Sequence, residues 1–167
     1  MILHNEVVEA MRLELPQSAG WTRVTINKPM HRVVAMAAGR IFIGPELCRN
    51  EAYLESAINY TMDVMIAVHI IQFMPAWLRP FAAPWLPQNR KLQQRRKDLA
   101  DLIKPVVAAR KEAARTNSDY QEPDDMLQWV INDMVKRGKS DVADLAHHQL
   151  TITGAALHTT TMAATHA

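Results

Sequence analysis

Apolar residues in this chain recur every three to four positions in long runs cut by proline, and seldom alternate at every second position, which predicts a mainly α fold. The first helix is expected over residues 2–15, where Leu3, Val7, Met11 and Leu15 follow i, i+4 spacing and Pro16 stops the run. Trp21 to Ile26 is the one plausible strand. Lys28 to Arg40 reads as a helix with Pro29 in its first turn and Gly39 near its end, followed by a break at Ile41-Phe42-Ile43-Gly44-Pro45. From Glu46 to Met74 the stripe Leu54, Ile58, Met62 and Met65 has helical spacing. Another long helix is expected from Gln88 to Arg115, with Leu92, Leu99, Leu102, Ile103 and Val106 inward and a kink at Pro105.

A polar linker from Thr116 to Pro123 precedes a helix marked at both ends by charge. Asp124 and Asp125 open it, Lys136 and Arg137 close it, and Gly138 is the stop, as the helix dipole and the glycine preference require. Ser140 is the expected cap of a final helix carrying Val142, Leu145, Ile152 and Ala156. That apolar pattern reaches Ala167 with no Gly, Pro or basic stop, so the chain is expected to be a truncated product ending in mid-helix.

With 167 residues and 49% hydrophobic composition the chain has the material for one packed domain, which argues against wholesale disorder. Only 5 glycines occur and no Gly-rich phosphate loop is present, so a nucleotide-binding α/β fold loses its main support. Cys48 is the only cysteine, which rules out an intramolecular disulfide and a Cys-rich zinc module. The net charge of +2 is uneven: Gln88 to Arg115 holds nine basic and three acidic residues, a local +6 against −4 elsewhere. Such a run suits a solvated helix face, an acidic partner or an anionic membrane surface. No signal peptide is expected, because the first residues include His4, Asn5, Glu6 and Glu9. No spanning helix is expected either, since the stretch from Val64 to Met74 is interrupted by His69 and Gln72.

Four features could carry chemistry. Cys48 lacks the aromatic and glycine neighbours of a haem-thiolate loop and reads as a structural cysteine. His147 and His148 are adjacent, so on a helix they point about 100° apart and read as surface histidines. His158 and His166 are eight residues apart, too far for a zinc pair, and no metal site is expected. The segment Pro75 to Pro87 sets Trp77, Phe81 and Trp85 among four prolines beside the basic run, which suits either insertion into a membrane surface or closure of the core between two helices.

The run Arg40-Ile41-Phe42-Ile43-Gly44-Pro45-Glu46-Leu47-Cys48-Arg49-Asn50, the long helix, the Pro/Trp loop and the final Gly154-Ala155-Ala156-Leu157-His158-Thr159-Thr160 together resemble the middle of a fungal cytochrome P-450. This is a family of haem-thiolate monooxygenases that tailor secondary metabolites. The resemblance covers essentially the whole chain, as a single partial domain over 1–167 running from the family's D helix into the first half of its I helix. Its most specific part is Ala155 to Thr160, which follows the pattern small, small, any, acid, Thr, Thr or Ser, with His158 in the acid position.

By this resemblance Ala155 and Ala156 are the small residues over the haem face, while Thr159 and His158 belong to the proton relay for dioxygen cleavage. The intact family uses haem, an apolar small-molecule substrate and electrons from a reductase, and Trp77, Phe81 and Trp85 would touch a membrane surface; no nucleic acid partner is implied. Placement would be cytoplasmic or peripheral on the endoplasmic reticulum. The cysteine-ligand loop, the Glu-x-x-Arg pair, the C helix and the membrane anchor have no counterpart in the sequence. The expectation is therefore an inactive, truncated enzyme that binds no haem; an incomplete gene model of an active enzyme, or a non-enzymatic helical protein of a membrane surface, are the alternatives.

Overall fold

The structure, a computed structural model, describes residues 2–79, 87–138 and 142–166. Among them are six helices: α1 (Ile2–Glu14), α2 (Asn27–Phe42), α3 (Glu51–Gln72), α4 (Pro87–Thr116), α5 (Met126–Lys136) and α6 (Val142–His166). Helix α6 packs against α2, α4 and α3; α1 lies on α2, and α3 lies along α4.

The local chemistry sets the helix boundaries. Helix α3 begins at Glu51 rather than Glu46, because the Asn50 side chain accepts from the amides of Ala52 and Tyr53 at 3.0 and 3.2 Å and fixes the start there. Asp125 does the same for α5, accepting from Gln128 N at 2.8 Å. Pro105 sits inside α4, which continues on both sides of it. Gly138 follows α5 with φ +67°, the left-handed stop that glycine adopts without a Cβ penalty. Ser140 lies outside the described residues.

Trp21 to Ile26 is not a strand. The segment runs as open chain between α1 and α2, and the described residues hold no strand at all. A strand exists only where another backbone supplies its ladder, and here none is alongside. Trp21 is fully solvent-exposed as a result.

The core is centred on Tyr53, Leu54, Leu99, Ile103, Leu145, Leu150 and Leu157, all with at most 2% exposure. Several apolar stripes are shifted from their expected faces. Helix α1 buries Glu6 and Ala10 while Leu3 and Met11 face outward, and α3 buries Tyr53, Ala57 and Tyr60 while Met62 and Met65 face outward. On α4 the expected face holds, with Leu99 and Ile103 buried and Leu92, Leu102 and Val106 packed at the edge. On α6 the hidden row is Gln149, Thr153, Leu157 and Thr161 at i, i+4 spacing, so Ile152 lies outward and Ala156 is half-buried.

Ion pairs lock these helices. Arg32 on α2 bonds Glu14 at the end of α1 and Glu51 at the start of α3, each at 2.7 Å. Arg49 bonds Glu6 at 2.7 Å, and Arg95 on α4 bonds the buried Asp63 of α3 at 2.6 Å. No helix among the described residues is long and apolar enough to cross a membrane.

Candidate functional site

Helices α3 and α6 enclose a cleft of about 360 Å³. One wall is Tyr60, Thr61, Val64 and Met65 of α3; the other is Thr151, Gly154, Ala155, His158 and Thr159 of α6. The α6 set follows from helical spacing, since residues three, four, seven and eight apart share a face. The same geometry turns Ala156 away, so of the four residues expected at the site the cleft unites Ala155, His158 and Thr159 and leaves Ala156 to one side, half-buried.

Thr159 is exposed to the cleft, and its hydroxyl lies 3.0 Å from Ala155 O and 3.3 Å from Ala156 O. This back-bond parks the proton on the helix and leaves the oxygen's lone pairs facing outward as acceptors. His158 stands half-buried beside it, one residue earlier. The cleft thus combines an apolar wall with a hydroxyl and an imidazole, a composition suited to holding an apolar molecule next to a proton-transfer pair.

Cys48 is elsewhere. It is buried in the turn before α3, its Sγ donating to Pro45 O at 3.6 Å, and it borders a separate hollow with Glu6, Arg40 and Arg49. Burial, then the Glu6 carboxylate, pushes its thiol up from the ordinary cysteine range, which keeps it protonated. This matches the structural reading of that residue. The His147 and His148 rings do not diverge as expected: their centroids are 5.9 Å apart with planes 25° from parallel. Among the described residues no three His, Cys, Asp or Glu side chains converge on a point that could hold a metal ion. His166 is exposed at the end of α6, two turns beyond His158.

Trp77 is exposed just past α3, as is Phe73. Phe81 and Trp85 lie outside the described residues.

The α3 wall was not anticipated. Its signal in the sequence is that Met62, Met65, Ile66 and Val68 place apolar groups around more of the helix than one face can bury.

Residues 3–167 match the family model described as Cytochrome P450. Cytochrome P450 monooxygenase ATR3 of Stachybotrys chlorohalonatus is 35% identical over 167 residues, which cover 100% of this chain and 35% of the relative. Cytochrome P450 monooxygenase AN1598 of Emericella nidulans is 34% identical over 99% of this chain and 31% of the relative. Cytochrome P450 monooxygenase paxP of Penicillium paxilli is 37% identical over 81% of this chain and 27% of its own length. The chain spans about a third of the length of the curated relatives it matches. No solved structure matches it significantly. With the family match running nearly end to end and the motif residues Ala155, His158 and Thr159 gathered on one cleft wall, this chain belongs to the cytochrome P450 family.

Proposed function

We propose that residues 1–167 form the substrate-side segment of a fungal haem-thiolate monooxygenase that oxidises an apolar small molecule in secondary metabolism, and that this segment by itself does not complete the catalytic centre. The observation that carries this reading is the α3/α6 cleft, in which an apolar wall faces Thr159 and His158.

The α6 face fits one side of a haem. Gly154 and Ala155 present nothing larger than a methyl group to the cleft, and Thr159 places its hydroxyl one turn further on. No residue of this chain would supply a thiolate to the haem, because its one thiol, Cys48, is buried in another hollow, hydrogen-bonded to Pro45 O and held protonated. Haem, when bound by the whole fold, would supply the oxidation of the substrate by dioxygen, with electrons from a reductase.

The chain's own residues do the remaining work. Tyr60, Val64 and Met65 hold the apolar molecule and keep water off it. The Thr159 hydroxyl can turn its proton from Ala155 O into the cleft, and the neighbouring His158 imidazole lines the same wall as its partner in proton delivery.

Exposure of Phe73 and Trp77 at the end of α3 favours a second reading alongside the first, that this end of the segment rests on a membrane surface, placing the enzyme on the endoplasmic reticulum face. To test the main reading, the 167-residue chain is mixed with ferric haem and reduced under carbon monoxide. No thiolate-type absorption band is expected. A thiolate band lost on Cys48→Ser would overturn the claim that the segment lacks a thiolate for haem.

A further inference from the structure

We propose that Gly154 and Thr61 are positioning residues that fix the spacing of α3 and α6, and thereby which apolar molecules the cleft admits. This rests on the cleft being the substrate side of the enzyme, as proposed above.

A glycine in a helix interior costs about 1 kcal/mol relative to alanine, so its presence in α6 asks for a packing reason. The surroundings supply one. A Cβ added at Gly154 would lie 2.7 Å from Thr61 Oγ1, inside any tolerable contact, while Tyr60 Cδ1 at 3.7 Å and Thr61 Cβ at 3.8 Å are at ordinary contact distance. The obstruction is therefore one atom. The Thr61 hydroxyl also lies 3.4 Å from Ala57 O, and as a β-branched residue on a helix Thr61 has few χ1 rotamers through which to move it aside.

The two helices thus approach until Thr61 meets the bare backbone of Gly154. Both residues also line the cleft, next to Met65 on one wall and Ala155 on the other. The distance they set is the width of the cleft. At about 360 Å³ the space is near the lower end for small-molecule sites, and a gap whose width is set by two facing helices admits flat molecules more readily than globular ones.

The test uses the full chain, thermal unfolding, and the methyl resonances of Met65 and Ala155 titrated with flat indole and globular 1-adamantanol. Helix propensity alone predicts that Gly154→Ala raises Tm; the Thr61 contact predicts that it lowers Tm. Wedging the helices apart should also shift the affinity ratio of indole to 1-adamantanol down by about threefold or more. Gly154→Ala with Thr61→Ala should restore both, whereas Gly154→Ala with Thr61→Val should restore neither. If Gly154→Ala does not fold, recovery of folding in the Thr61→Ala double variant supports the proposal and failure to recover overturns it. A higher Tm with an unchanged ratio would remove any spacing role from Gly154. A lower Tm with an unchanged ratio makes the pair a structural spacer only, which also overturns the proposal. Absence of any methyl response to either probe in the unmutated chain contradicts the binding cleft itself and is recognisable as that separate failure.

Discussion

Arg110 grips Asp125 with two parallel hydrogen bonds, Nη1 to Oδ1 at 2.8 Å and Nη2 to Oδ2 at 2.7 Å, and each side chain is only 4% exposed. The same guanidinium bonds Glu46 through Nη2 at 2.9 Å, and Asp125 Oδ1 also caps α5. Three segments meet in this way: the turn after α2, the C-terminal part of α4 and the start of α5. Burial would favour a neutral guanidinium, but Asp125 and Glu46 more than offset it, and Arg110 is held charged.

Removing one partner of such a pair leaves a buried charge uncompensated, at a cost of about 3–5 kcal/mol. Arg110→Met should lose that much in urea unfolding. Glu46→Gln should lose far less, because Glu46 is 40% exposed and water can replace its contact. Equal losses would mean that burial is not what makes the clamp matter.

Gly44 sits against this clamp with φ +94°, and a Cβ there would lie 2.5 Å from both Arg110 Nη2 and Asp125 Oδ2. Gly44→Ala should therefore destabilise by the left-handed backbone cost plus displacement of the clamp, together about 2–4 kcal/mol. Gly138 has φ +67° with nothing within 4 Å of its would-be Cβ, so Gly138→Ala should carry only the backbone cost of about 1–2 kcal/mol. Chemical unfolding of the two variants side by side separates the two causes.

The helices were legible because proline, glycine and asparagine punctuate them: Pro16, Asn50 and Gly138 each stand at a boundary in the structure. The inward faces were less legible. Hydropathy gives Glu6, Asp63, Gln149 and Thr153 no reason to be inside, yet each is buried. Glu6 and Asp63 are there because Arg49 and Arg95 pair with them across 43 and 32 residues of chain, a relation that periodicity cannot register. Trp21 to Ile26 has strand-forming side chains, but a strand also needs a neighbour, which is a property of the fold. At the site, the motif residues Ala155, His158 and Thr159 were readable from α6 alone, whereas the facing α3 wall depended on how two helices cross.

Two titrating groups, the half-buried His147 and the buried Tyr53, narrow the stable pH range from opposite ends. Burial, then Arg96 and His148, pushes His147 below its ordinary value of about 6.5, so the native state binds fewer protons than the unfolded chain. Its stabilisation is present above about pH 6.5 and is lost as pH falls through the lower native value. Burial pushes the Tyr53 phenol up from 10.0 to about 12, so its stabilisation is present below pH 10 and is lost as pH rises towards 12. Thermal melts should show a falling Tm on both flanks, with His147→Gln flattening the acid side and Tyr53→Phe the alkaline side. An acid flank unchanged by His147→Gln would remove that residue from the account.

The exposed Trp77 gives the membrane reading a direct check. Co-sedimentation with anionic vesicles should exceed that with neutral ones and weaken as salt rises, since each nearby basic residue contributes about 1 kcal/mol at an anionic surface. Trp77→Ala should reduce binding to both kinds of vesicle. Equal binding by the variant and the unmutated chain would count against contact through this residue.

The central claim is that the α3/α6 cleft is the substrate side of a monooxygenase, with Thr159 moving protons in it. The most direct measurement replaces the matching third of the Stachybotrys relative with residues 1–167 and compares product formed with hydrogen peroxide released per electron pair from the reductase. The account predicts that Thr159→Val keeps the thiolate-type carbon monoxide band of this chimera but lowers product by about tenfold or more and diverts electrons to peroxide. A Thr159→Val chimera that forms product as efficiently as its parent would contradict it.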